Sequence, residues 1–291
     1  MSFKIGKFGI WQPGFLTTPA CAAEIERLGF TALWLSGQTA DLAGIDELLE
    51  STTSLTVGTS VLNIWHGSAE TAAASFHRIN DRFPGRFLLG IGAGHPEQNQ
   101  EFQTPMQAIT GYLDKLDAAG VPVESRAVAA LGPKMLAMAA ERAGGVLPYS
   151  VTPEYTERAR PVLGAARFIA PEHKVVVDTD PARARETNRD YMESMLGLRH
   201  YRNSLRRLGF TEDDVTGRGS DRLIDALVAH GDVKTIAAEL DAHFVAGADH
   251  VALQVMTRNR VVPPGFPPNV TVEVYDDKML ALYGTLAEQL L

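Results

Sequence analysis

A (β/α)8 barrel of the α/β class is the architecture this sequence predicts. Strand-like and helix-like patterns alternate from one end to the other, as they do where a parallel sheet is covered by helices. The strand-like runs number eight, which closes such a barrel. The 291 residues suffice for one large domain, and no short repeat, low-complexity run or flexible linker divides them. The expectation is one domain over residues 1–291.

The strand-like runs fall at Ile5 to Gln12, Ala32 to Ser36, Leu55 to Ile64, Phe87 to Gly94, Val128 to Gly132, Gly145 to Val151, Lys174 to Thr179 and His250 to Met256. Helix signals sit between them. Thr18-Pro19 opens Ala20 to Leu28 and Gly29 closes it, while Pro133 begins Lys134 to Ala143 ahead of Gly144 and Gly145. Ala108 to Ala119 is helical in pattern, and Asp180-Pro181 opens a long helical segment through Leu208. Gly209 to Gly219 separates helices rather than domains, Asp232 caps Val233 to Val245, and a last helix spans Asp276 to Leu290. The proline-dense stretch Val261 to Asn269 forbids helix and reads as an extended surface loop, either a lid over the barrel mouth or a plain connector.

Composition narrows the function. Apolar content of 45% and charged content of 21% are ordinary for a globular enzyme. The net charge of -8 and the lack of a basic stripe argue against nucleic acid or an anionic membrane as partner. Cys21 is the one cysteine, so disulfide frameworks and CxxC motifs are excluded; near a helix start it reads as a reactive thiol or a small buried residue. Neither a signal-peptide run at Met1 to Lys7 nor an apolar membrane span is visible, and a cytoplasmic protein is expected.

The most informative stretch is Arg86-Phe-Leu-Leu-Gly-Ile-Gly-Ala-Gly-His95-Pro96, an apolar strand that runs into alternating glycines and then a histidine. Gly90, Gly92 and Gly94 share one strand face, where they admit a flat ligand or another backbone, or pack strand against helix. The spacing G-x-G-x-G, with no second strand ending in an acid about 20 residues on, departs from the dinucleotide-binding fingerprint.

In a parallel barrel, functional groups gather at the carboxyl ends of the strands. There the sequence places Trp11, Gln12, Ser36, Gln38, Ser60, Asn63, Trp65, His66, Gly94, His95, Gly132, Tyr149, Ser150, Thr152, Thr179, Gln254 and Met256. This set is rich in amides, hydroxyls and aromatics and poor in carboxylates. HExxH, G-x-S-x-G, a P-loop and paired strand-end acids are all missing, so no metal site is expected. What remains suits a large planar ligand that brings its own chemistry. His95 is the candidate general acid or base, or else a structural hydrogen-bond donor. His66 is a weaker candidate, and His200 and His243 fall in helices, where a packed or solvated role is expected.

Five segments together resemble the bacterial luciferase-like flavin and deazaflavin oxidoreductases, and most closely the branch of probable coenzyme F420-dependent oxidoreductases. They are Ala32 to Ser36, Thr59 to Trp65, Pro84 to His95, Ala130 to Leu136 and Ala246 to Leu253, in the family's order. The resemblance implies a barrel of the luciferase-like type with a flavin or 5-deazaflavin across its mouth. By position, Ser60, Val61, Ala93, Gly94, His95, Leu131 and Gly132 look like ring and ribityl contacts, and Tyr149, Ser150 and Thr152 like a phosphate-side loop. Ser36 and Asn63 complete the expected cofactor-binding set; Lys134, Arg158 and Arg160 read as contacts to an anionic tail or as surface charges. The match of Thr59-Ser-Val-Leu62 further implies a non-proline cis peptide between Ser60 and Val61.

The chain departs from the family's sugar-phosphate and alcohol dehydrogenases, which carry a His after the second strand and a Trp shortly after it. Here Gly37-Gln38 and Asp41-Leu42 stand in that stretch, and His95 replaces the Glu acid of the sugar-phosphate enzymes. The expected activity is hydride transfer between coenzyme F420 and a small organic substrate, in a homodimer, with the direction of transfer open. The alternatives are an FMN-dependent monooxygenase and a flavin-binding barrel without turnover.

Overall fold

The computed structural model describes residues 5–94, 103–263 and 271–291. β1 (Phe8–Pro13) leads through α1 (Pro19–Arg27) to β2 (Ala32–Ser36) and α2 (Ile45–Glu50). β3 (Thr56–Thr59) and β4 (Leu62–Asn63) precede α3 (Ala69–Arg82), β5 (Phe87–Gly92) and α4 (Pro105–Ala118). Then come β6 (Arg126–Val128), α5 (Pro133–Arg142), β7 (Gly145–Val146), α6 (Pro153–Leu163), β8 (Phe168–Ile169) and β9 (Glu172–Val176). α7 (Pro181–Leu196), α8 (Arg199–Arg207) and α9 (Asp221–Leu227) lead to β10 (Val228–His230), α10 (Val233–Val245) and β11 (Val251–Val255). The antiparallel pair of β12 (Arg260–Val261) and β13 (Val272–Glu273) precedes α11 (Asp277–Leu290).

The large sheet is parallel and runs β10-β9-β11-β1-β2-β3-β5-β6-β7-β8, with β4 also on β5. Its two ends are joined covalently, because β8 and β9 are one run of chain that changes partners at Ala170-Pro171. Phe168 and Ile169 pair with β7, and Glu172 to Val175 pair with β11. The N–H of Glu172 still donates to Pro148 O at 2.9 Å, and that of Ala252 to Pro171 O at 2.9 Å, across the bend. The ring therefore closes as an eight-membered barrel in which β3/β4 and β8/β9 each count once. β10 lies outside the ring on β9.

The fold class agrees with the sequence expectation, while several boundaries move. The run expected at Lys174 to Thr179 begins earlier, at Phe168, because Pro171 lacks an N–H and splits it. Leu55 to Ile64 breaks at Ser60-Val61. Val128 to Gly132 and Gly145 to Val151 shorten to β6 and β7, since their later residues turn toward the barrel mouth. The long helix from Asp180 through Leu208 divides at Gly197-Leu198, and β10 was not expected. The proline-rich stretch lies largely outside the described residues. The caps act as anticipated: Thr18 accepts from Cys21 N, Asp232 from Thr235 N, and Asp276 from Lys278 N and Met279 N. No helix among the described residues is long and apolar enough to cross a membrane.

Strand alternation sorts the core into layers. Ile10, Leu33 and Leu35 face the outer helices, whereas Trp11, Trp34, Leu88 and Leu147 fill the barrel interior. Trp34 Nε1 donates to His250 Nε2 at 2.9 Å, so His250 is neutral and carries its proton on Nδ1, 2.5 Å from Gly6 O. Gly58 makes room for the Trp34 ring, whose Cζ3 would lie 2.5 Å from a Cβ there. A third apolar cluster, with Met192, Tyr201, Leu205, Phe210 and Leu223, joins α7, α8 and α9 over the carboxyl ends of β9 and β11, at Val176 and Met256.

Two outcomes follow. A Cβ on Gly90 would lie 2.0 Å from Thr59 O and 2.6 Å from Leu147 Cδ1. Gly90→Ala should therefore destabilise the barrel by at least about 1–3 kcal/mol, the cost of overpacking, measured by urea unfolding. Burial also holds His243 and His250 down to about 4, against 6.5 in an unfolded chain. Both are neutral in the folded state, so their contribution is complete above pH 6.5. It is lost as pH falls toward about 4, where the unfolded chain takes up protons that the folded one refuses. The loss is on the order of 3 kcal/mol for each, and a melting-temperature series from pH 7 to pH 4 should fall through this window.

Candidate active site

A cavity of about 380 Å3 opens at the carboxyl ends of the strands. β1 contributes Trp11, the β3–β4 bend Ser60 and Val61, and the end of β5 Gly92, Ala93 and Gly94. The chain after β6 adds Ala129 to Gly132, the chain after β7 adds Leu147 and Tyr149, and the two helices α4 and α5 add Pro105 and Met135. α8, from the helices between β9 and β10, closes the wall with His200 and Tyr201.

The β3–β4 bend is a β-bulge. Val57 and Gly58 pair with Phe87 and Leu88, but Leu62 and Asn63 pair with Ile91 and Gly92, so β3/β4 carries one more residue than β5. The Ser60–Val61 peptide within it is cis, as the resemblance implied. Ser60 N donates to Leu35 O at 2.7 Å, and Trp11 Nε1 donates to Ser60 O at 3.2 Å. Thr59 Oγ1 bridges the gap, accepting from Gly90 N and donating to Gly90 O. The bulge thus turns Val61 into the cavity opposite Gly92, where a Cβ would lie 2.6 Å from Val61 Cγ2.

Beneath Tyr149 lies a buried polar cluster. Lys174 Nζ donates to Ser150 Oγ at 2.8 Å and to the Glu172 oxygens at 3.0 and 3.1 Å. It also lies 4.3 Å from the ring centroids of Tyr149 and Tyr191. Glu172 Oε2 accepts from Ser150 N at 3.1 Å, and Tyr149 OH donates to Gln254 Oε1 at 2.7 Å. Burial pushes the Glu172 carboxyl up and the Lys174 ammonium down, while their mutual attraction opposes both shifts. Burial also raises the phenols of Tyr149 and Tyr201 well above the ordinary range, so both stay protonated.

The structure brings Ser60, Val61, Ala93, Gly94, Leu131, Gly132 and Tyr149 together in the cavity wall. Four other expected residues stand elsewhere. Ser36 ends β2 outside the wall, and Asn63 caps the turn at Ile64 by accepting from Trp65 N. Ser150, at φ 53, turns back to Lys174, and Thr152 is buried at the start of α6. Lys134 is exposed, Arg158 donates to Arg207 O, and Arg160 binds Asp249 and the Gly247 carbonyl. His95 lies outside the described residues, directly after Gly94. The reading of strand ends missed His200 and Tyr201, because the helices that carry them stand outside the barrel repeat. It also missed Lys174 and Glu172, whose charges gave no sign that they face a barrel interior.

The profile of the luciferase-like monooxygenase family matches residues 12–108. That stretch holds one wall of the cavity, from the bulge at Ser60 and Val61 to Gly94. Over that third of its length the chain is similar to the luciferase-like monooxygenase family. Solved structures share this luciferase-like fold over nearly the whole chain. The coenzyme F420-dependent tetrahydromethanopterin reductase from Methanopyrus kandleri is 16% identical, covers 98% of each chain and has a TM-score of 0.64. An F420-dependent secondary alcohol dehydrogenase, in complex with an F420-acetone adduct, is 14% identical over 88% of this chain and 94% of its own, with a TM-score of 0.66. The oxygenating constituent of 3,6-diketocamphane monooxygenase from the CAM plasmid of Pseudomonas putida, in complex with FMN, is 12% identical over 98% of each chain, with a TM-score of 0.65. At such identities the likeness is one of fold. No curated protein sequence matches the chain.

The buried pair gives the site a stability signature. Lys174→Met leaves the Glu172 carboxylate buried without its partner and should cost about 3–5 kcal/mol in urea unfolding. Removing both charges, in Lys174→Met with Glu172→Gln, should recover most of that loss.

Proposed function

We propose that the chain is an F420-dependent oxidoreductase that moves a hydride between the deazaflavin and a small organic substrate held in the barrel mouth. The observation that carries this reading is the cavity at the barrel mouth, walled by Val61 packed on Gly92, whose described lining holds no carboxylate, thiol or ammonium. Such a wall cannot perform redox chemistry with its own side chains, but it fits a flat ring system. The deazaflavin, when bound, supplies the hydride donor or acceptor.

The chain's own residues would bind and orient that group. Val61, turned inward by the bulge, would back the ring, and Gly92 lets Val61 sit close against β5. Trp11, Tyr149 and Tyr201 supply aromatic walls that exclude water. At Gly132, α5 begins without a side-chain cap, and its first-turn N–H groups suit a phosphate. Hydride transfer also requires a proton carrier at the mouth.

An FMN-dependent monooxygenase is the second reading, favoured by the monooxygenase profile and by the FMN complex among the structures of the same fold. Fluorescence-quench titrations with F420 and with FMN separate the two. F420 is expected to bind more tightly, and tighter binding of FMN overturns the deazaflavin assignment. Gly92→Ala should push Val61 into the cavity and weaken cofactor binding, where about 1–3 kcal/mol of overpacking corresponds to about 5- to 150-fold in Kd.

A further inference from the structure

The described wall of the cavity contains an imidazole that the strand-end reading passed over. His200, the second residue of α8, lines the cavity beside Tyr201, with the two rings 4.1 Å apart at 46°. Tyr201 is buried and packs against Tyr149 at 6.3 Å, so the stack is anchored to the barrel interior. His200 is only half-buried, which leaves it a route to solvent.

Among the described lining residues, those that can carry a proton on a heteroatom are Trp11, Ser60, Tyr149, His200 and Tyr201. An indole N–H and a serine hydroxyl do not exchange protons usefully near neutrality. Burial holds both phenols well above the range in which they would release one. Lys174 and Glu172 are occupied with each other behind Tyr149. An imidazole is the side-chain type whose ordinary pKa lies near neutral pH.

We propose that His200 is a proton carrier of the reaction. The inference rests on the hydride-transfer reading above. In the reducing direction the cofactor, when bound, would supply a hydride to a substrate carbon of a C=O or activated C=C bond, whose π electrons move to the neighbouring atom. The imidazolium of His200 gives its proton to the oxygen or neighbouring carbon that takes up the negative charge, and the imidazole regains a proton from water. In the oxidising direction both transfers reverse. A ring held on a helix and stacked on a buried aromatic keeps its orientation.

Two measurements test this. In spectra of protein labelled with 15N-histidine, the His200 signals are identified by their loss in His200→Gln and followed as F420 or FMN is added. In parallel, His200→Gln and His95→Gln are compared on a panel of enones, ketones and imines with reduced F420. The expected result is that cofactor shifts the His200 signals. His200→Gln should also lower kcat by about 10²- to 10⁴-fold with the cofactor Kd little changed. Where no compound of the panel is turned over, the spectra decide alone. Unmoved His200 signals with cofactor demonstrably bound, or loss of turnover in His95→Gln but not in His200→Gln, overturn this inference and leave the cofactor assignment standing. A chain that quenches neither F420 nor FMN fluorescence overturns both.

Discussion

The carboxylate of Glu172 joins the two halves of the barrel at the point where one strand changes partners. It accepts from the Ser150 N–H beyond β7 and from the Lys174 ammonium two residues along its own strand. A buried charge is tolerated only when its partner and its hydrogen bonds are complete, and here the cluster is closed by Ser150 and by two tyrosine ring faces. Tyr149 stands on that cluster, so the position of a cavity wall depends on an ion pair that never touches the cavity. Much of the interior beside it follows the same economy of space, with Gly58 and Gly90 yielding volume to Trp34 and to Thr59.

The site itself is shaped more by backbone than by reactive side chains. One extra residue in β3/β4 aims Val61 inward, the indole of Trp11 secures the carbonyl of Ser60, and the hydroxyl of Thr59 replaces the ladder bonds that the bulge removes. These are fixed dipoles and apolar surfaces that need no reorganisation when a ligand enters. The chemistry is then left to what binds and to whichever imidazole stands nearest the reacting atoms.

Strand and helix signals in the sequence were enough to reach the barrel, because alternation and caps such as Thr18 and Asp232 report local physics. The glycines after Phe87 were legible as a close approach, and the structure divides them: Gly90 meets the Thr59 carbonyl, and Gly92 faces Val61 at the cavity. Strand ends were harder, since only the three-dimensional bend at Pro171 explains why Phe168 and Lys174 belong to one run. Ser150 and Thr152 read as ligand contacts by their place after a strand, yet a positive φ and a helix start turn them away. His200 and Tyr201 were invisible as site residues because nothing local tells a helix that covers a mouth from one that covers a flank.

That covering helix has its own foundations. α7, α8 and α9 share an apolar cluster that meets the barrel at a few strand-end side chains, among them Val176 and Met256. The ring of strands, by contrast, is held by ladder bonds and by the interior packed around Trp34. The two therefore answer to different selective pressures. Substitutions on α8 can reshape one face of the cavity while every strand keeps its register, so diversification of substrate range can proceed in the inserted helices without renegotiating how the barrel folds.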